Sequence, residues 1–162
     1  MQRTILRYAP DYWDTNAETL SSQLYVINQF SEEYRQIDYE VKRATRDTNL
    51  NITSIKRVQN IHDMGQLVLR EQLLAVSDLL QSYYRVRRFF TIHRNYLPAV
   101  LKYNIDPRRY GMSSLQFKKY IYCGSEEIIL VVQVVTADHN ADLIEPRNSS
   151  DYFIDYIVDI HK

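Results

Sequence analysis

Apolar residues recur along this chain with two different periods. In the first half they often fall three and four apart. Tyr34, Ile37, Val41 and Ala44 make one such stripe, which predicts a helix. Ser31 stands where its N-cap belongs, and Glu32 and Glu33 occupy the first turn, where the helix dipole favours negative charge. That helix fades in a polar turn at residues 46–49. A longer helix, rich in Leu and Gln, is expected from Asp63 to about Leu80. Asn95 is placed to cap a short third helix covering Leu97, Val100, Leu101 and Tyr103, with Asn104 closing it at positive φ.

Elsewhere the period is two. Strands are expected at Gln23–Asn28, Ile52–Val58, Tyr83–His93 and Phe117–Cys123. Residues 105–114 read as a loop around Pro107 and Gly111, and residues 124–127 as a turn. Ile128–Val135 is an almost unbroken β-branched run, which suits a central strand covered on both faces. Residues 136–150 read as loop. A last strand, Tyr152–Ile160, places Tyr152, Ile154, Tyr156, Val158 and Ile160 on one face and turns Asp155 to water. Left uncovered, that strand offers an edge for another chain. Helices early and strands late indicate an α+β domain rather than an alternating doubly wound sheet.

Composition narrows the class. With 45% apolar and 25% charged residues, the chain has the make-up of a soluble globular domain. It reads as a single domain over residues 1–162, cut from a larger protein. Only 3 glycines and 4 prolines argue against disorder, whereas 14 tyrosines suggest amphipathic strand faces or contact surfaces.

Twenty basic residues balance twenty acidic ones, so no bulk electrostatic drive toward nucleic acid exists. Local clusters at Arg85, Arg87, Arg88 and Arg94, and at Arg108 and Arg109, read first as solvated faces. Cys123 makes no intrachain disulfide, being the only cysteine, and reads as a small core residue in a reducing compartment. Nothing approaches the ~20 apolar residues of a membrane span, and no apolar signal core follows Met1-Gln2-Arg3-Thr4. The glycosylation triplets at Asn51 and Asn148 therefore read as chance matches. His62, His139 and His161 share no ligand spacing with Cys123, so no metal is expected. The three isolated glycines form no phosphate-binding loop, dinucleotide fingerprint or nucleophile elbow.

Several short motifs, in order, resemble the catalytic domain of the poly(ADP-ribose) polymerase (PARP) family. Pro10-Asp11-Tyr12-Trp13-Asp14 is similar to its P-x-x-W-D, and Ser31-Glu32-Glu33-Tyr34 to the S-x-E-Y opening its first helix. Ile55-Lys56-Arg57-Val58-Gln59-Asn60 resembles I-x-R-I-Q-N, the most specific match. Residues Ile105–Gly111 resemble the G-F-D-x-R-x-x-G loop, with Asn104 where the first glycine would stand. Phe117–Gly124 resembles Y/F-G-K-G-I-Y-F-A, keeping Lys119, Ile121 and Tyr122 in register while both glycines have become Lys118 and Tyr120.

The resemblance implies an ADP-ribosyltransferase fold, with a split mixed or antiparallel sheet and flanking helices. It also implies a cofactor, NAD, whose nicotinamide–ribose bond breaks as positive charge develops on the sugar. The family uses a histidine on the adenosine-side ribose, a following glycine that exposes main chain to the nicotinamide, and a stacking tyrosine. Its polymerases add a late glutamate as preorganised electrostatics. The degenerate equivalents here are His93, Tyr122 and Asp155. A two-residue shift puts Thr91 at the histidine position: spacing to Pro98 favours His93, and spacing to Asp106 favours Thr91. Either way the glycine is lost, to Arg94 or to Ile92. Ser150-Asp151-Tyr152-Phe153 offers a second register for the acid. The serine-rich helix that follows the tyrosine in the family is absent.

These losses imply a groove blocked by Arg94, Lys118 and Tyr120, no catalytic residues, no cofactor, and a pseudoenzyme acting as an intracellular scaffold, nuclear or cytoplasmic, for a protein partner. On that reading His93 is a polar strand residue and Tyr122 a core or partner contact. Arg85, Arg87, Arg88, Arg94, Arg108 and Arg109 are the partner-binding candidates. Two alternatives stay open: an active mono-ADP-ribosyltransferase using His93 and Tyr122 with NAD, and an RNA- or DNA-binding module using the first arginine cluster with nearby tyrosines.

Overall fold

Ser31 opens the first helix. Its backbone is extended and its hydroxyl accepts a 3.1 Å hydrogen bond from the Tyr34 N–H, satisfying one of the donors left unpaired at a helix start. In this computed structural model, which describes residues 9–14, 23–110 and 112–162, that helix, α1, runs Glu32–Thr45. It buries Ile37, Val41 and Ala44, the stripe expected from their spacing, and ends where Arg46 turns left-handed at φ 55°. Helix α2 runs Ile61–Ser77, beginning two residues before its expected start because Asn60 caps it by accepting from the Asp63 N–H at 3.1 Å. Helix α3 is Leu97–Tyr103. Asn95 does not cap it. His93 Nδ1 accepts from the Asn95 N–H instead, opening a 3-10 turn at Arg94–Tyr96 that leads into the helix.

Seven strands are described: β1 Gln23–Val26, β2 Ile52–Gln59, β3 Tyr84–His93, β4 Phe117–Lys118, β5 Glu127–Thr136, β6 Leu143–Ile144 and β7 Tyr152–Ile160. They form one sheet in the order β1-β2-β7-β5-β3-β4-β6, each neighbouring pair antiparallel. The class is therefore α+β. The β-branched run lies in β5, the middle strand. The last strand is not an edge, because β7 is clamped between β2 and β5; the edges are β1 and β6. The strand expected over 117–123 shrinks to two residues. Beyond Lys118 the chain leaves the sheet: the Lys119 N–H reaches the Asp142 carbonyl, and the Ile121 N–H donates to the Ala44 carbonyl at the end of α1. The expected loop 136–150 contains β6 and a 3-10 turn at Ser149–Asp151. Gly111 of the loop motif, the N-terminal tetrapeptide and the Arg109 side chain lie outside the described residues.

Both sheet faces are covered. On one face Ile128, Leu130, Val132 and Val134 of β5 pack with Phe90, Phe117 and Val100. On the other, Ile129 and Val131 meet α1 through Ile37 and Val41, while Val135 and Phe153 meet α2 and Trp13. The even alternation expected along β7 fails at Asp155. Val131 pairs with Tyr156 and Val132 with Ile154, so Asp155 is the extra residue of a β-bulge. Tyr152 and Ile154 therefore belong to one core, and Tyr156, Val158 and Ile160 to the other.

Candidate functional site

A polar seam crosses the second face between the regions covered by α1 and α2. On β5 it falls at Gln133, the one polar residue inside the apolar run. Arg87 of β3 pairs in register with Gln133, and Arg57 of β2 with Tyr156. The bulge brings Tyr156 to the same face as Asp155. Asp155 was expected to face water; its exposure is 0%. Its carboxylate accepts from the Gln133 amide at 2.8 Å, the Arg87 guanidinium at 3.4 Å and the Tyr12 hydroxyl at 3.3 Å. Arg87 also donates twice to Glu40 of α1, at 2.9 and 3.0 Å. Arg57 forks onto Glu33, through Nε at 2.8 Å and through Nη2, and Glu33 accepts from the Tyr156 hydroxyl at 2.7 Å. Buried Gln59 ties Arg57 to the Asp14 N–H.

Three carboxyls thus face two guanidiniums. Burial pushes the Asp155 pKa up, against the hydrogen bond from Gln133 and the charge of Arg87. Glu33 moves the other way: burial raises it, but the bonds from Arg57 and Tyr156 outweigh that and leave it low. Burial and the Asp155 charge push the Tyr12 phenol up to about 12. One excess carboxyl in a nearly dry seam takes up a proton more readily than it does in water. Sequence reasoning missed Glu33, Glu40 and Gln133 as seam members. Gln133 inside a β-branched run was the signal available for the last.

The residues singled out by the family resemblance are dispersed. Asp155 is committed to the seam. His93 hydrogen-bonds Glu126 at 3.1 Å and lies against the Tyr96 ring. Tyr122 is 81% exposed, so it is no core residue. A cavity of about 280 Å³ is lined by Thr91, Lys118, Tyr120 and Tyr122, among others, and His93 is not in its lining. Thr91, the alternative register, is the residue that shares a cavity with Tyr122. Lys118 and Tyr120 line that cavity, whereas Arg94 pairs with Asp159 of β7. Asp151 is held by Arg70 at 2.7 Å and by the Arg147 and Asn148 N–H groups.

The arginine clusters do not form one solvated basic face. Arg85 pairs with Glu71, and Arg87 with Glu40 and Asp155. Arg88 points to the opposite face, is buried, and donates to the His139 and Ala141 carbonyls; burial lowers its pKa. Arg108 is exposed and folds back onto Asp106 at 3.1 Å. Among the described residues, no three His, Cys, Asp or Glu side chains converge as a metal site, and no helix is long and apolar enough to cross a membrane. No family model matches the chain, and no curated protein matches it.

Proposed function

We propose that this chain is a catalytically inactive, PARP-like domain of the ADP-ribosyltransferase fold that works by binding other macromolecules. The carrying observation is the fate of the three equivalent positions. The family's transferases need the histidine and the tyrosine around one cofactor, and its polymerases the acid as well, yet Asp155 is sealed in an ion network, His93 is engaged by Glu126, and Tyr122 stands in solvent. The resemblance itself draws support from two features. The segments that carry it, in β2, β7, β3 and β4, are brought together in one sheet, with β5 between β7 and β3. Asn104, at the motif's first glycine, holds φ 63° and ψ −176°, a conformation that glycine alone adopts without strain.

A protein partner is favoured by α2. Its inward stripe, Ile61, Met64 and Leu67, is buried, but Leu69, Leu73 and Val76 form a second stripe that stays exposed and continues into Leu79 and Leu80. Contiguous exposed apolar surface of this kind marks contact sites. The module would act inside the cell, in nucleus or cytoplasm, as a scaffold. Calorimetry with NAD at millimolar concentration tests the catalytic half: no heat of binding is expected. A saturable isotherm, or automodification with labelled NAD that is lost in Tyr122→Ala, would overturn the reading.

A further inference from the structure

We propose that the end of α1, the segment 118–122 and Lys162 form a binding surface for single-stranded nucleic acid. This goes beyond the protein-scaffold reading and does not depend on it. The starting observation is where unneutralised charge collects in a chain of net charge zero. Most described arginines end on a carboxylate, as Arg57, Arg85, Arg87 and Arg94 do. Arg43, Arg46, Lys118, Lys119 and Lys162 have no carboxylate partner among the described residues.

These five are scattered in sequence and joined by the fold. The Ile121 N–H donates to the Ala44 carbonyl at 3.0 Å, which pins the segment against the last turn of α1. Arg43, Lys119 and Tyr120 line one cavity of about 240 Å³. Lys118, Tyr120 and Tyr122 line the neighbouring one. The Arg46 guanidinium lies 4.3 Å from the Tyr120 ring centre, and the Lys162 ammonium 4.4 Å from that of Tyr122. Glu40, the acid that lines the first of these cavities, is neutralised by Arg87.

The tyrosines decide between anionic partners. An acidic peptide needs cations only. A single strand needs cations for its phosphates and flat faces for its bases. Tyr122 at 81% exposure, with a cation already over its ring, supplies such a face, and Tyr120 is exposed beside it. The run Lys118-Lys119-Tyr120-Ile121-Tyr122 thus sets two cations and two stacking rings within five residues.

Fluorescence anisotropy with labelled oligo-uridine and oligo-thymidine tests this, with circular dichroism to verify that each variant is folded. Both strands are expected to bind. Affinity should fall with salt with a log–log slope of about −3.5, from roughly −0.7 for each phosphate neutralised by one of the five cations. Lys118→Ala with Lys119→Ala should make that slope shallower by about 1.4. Tyr122→Ala should weaken binding at least about fivefold and leave the slope unchanged, since stacking is worth ~1–3 kcal/mol per base. Arg85→Ala, whose guanidinium is paired, should bind as the parent does. If the double lysine variant fails to fold, Lys162→Ala and Arg43→Ala carry the same expectation of a shallower slope. Absence of binding at ~50 mM salt overturns the proposal. So does polyglutamate binding as tightly as either oligonucleotide with no loss in Tyr122→Ala, or an equal loss in Arg85→Ala.

Discussion

The Gln133 side chain donates a 2.8 Å hydrogen bond to the Asp155 carboxylate across the bulge that joins β5 to β7. This contact fixes the least exposed acid of the seam beside the one polar residue inside the central strand's apolar run. It makes folding and proton binding interdependent at one carboxyl.

Because the native pKa of Asp155 lies above its ordinary value of 3.8, the folded protein binds more protons there than the unfolded chain. Its contribution to stability therefore falls as pH rises from 3.8 to the raised native value, and is flat above it. Glu33, held below its ordinary 4.5, works oppositely and loses stability as pH falls through its lowered value. Subtracting the parent's unfolding free energy from that of Asp155→Asn isolates the first effect. The difference should climb as pH rises above 3.8 and then level off. Urea titrations from about pH 4 to 8 that gave a constant difference would contradict the buried, raised carboxyl.

Arg87 and Asp155 should be energetically coupled. Removing Arg87 leaves a fully buried acid without its cation, at a cost of ~3 kcal/mol. In a double-mutant cycle of Arg87→Met and Asp155→Asn, the double variant should lose at least ~1 kcal/mol less than the two singles together. Additive losses would show that the 3.4 Å contact carries no energy.

Asn104 should gain from becoming glycine. Its φ of 63° with ψ near 180° is strained for a residue with a side chain. The 2.9 Å bond from the Ile105 N–H to its own amide oxygen compensates only in part. Asn104→Gly should raise stability by ~1 kcal/mol. A fall of similar size would mean that this hydrogen bond outweighs the strain.

The two stripes of α2 should respond differently to truncation. Leu67→Ala opens a cavity beside Trp13 and Phe153, costing ~2–5 kcal/mol. Leu73→Ser, on the outward stripe, should change stability by no more than ~0.5 kcal/mol. A Leu73→Ser loss matching that of Leu67→Ala would show that the outward stripe is packed rather than free.

Local rules determined a good part of this protein. Ser31 and its two following acids started α1, and Tyr34, Ile37, Val41 and Ala44 chose its buried side, because capping and a 3.6-residue period act within one element. The run Ile128–Val135 announced a strand covered on both faces for the same reason. What only the tertiary structure decided were relations between distant segments. Asp155 looked solvent-facing because alternation along one strand cannot report that the second face of β7 is covered as well; the bulge, visible only once β7 is paired with β5, brings Tyr156 onto that face beside it. The segment after Lys118 looked like strand, but the Ala44 carbonyl captures its backbone and pulls it off the sheet. Arg85 and Arg87 looked like a basic patch because their acids, Glu71 and Glu40, lie on separate helices. Charge pairing depends on distance in space, and no spacing along the chain reports it.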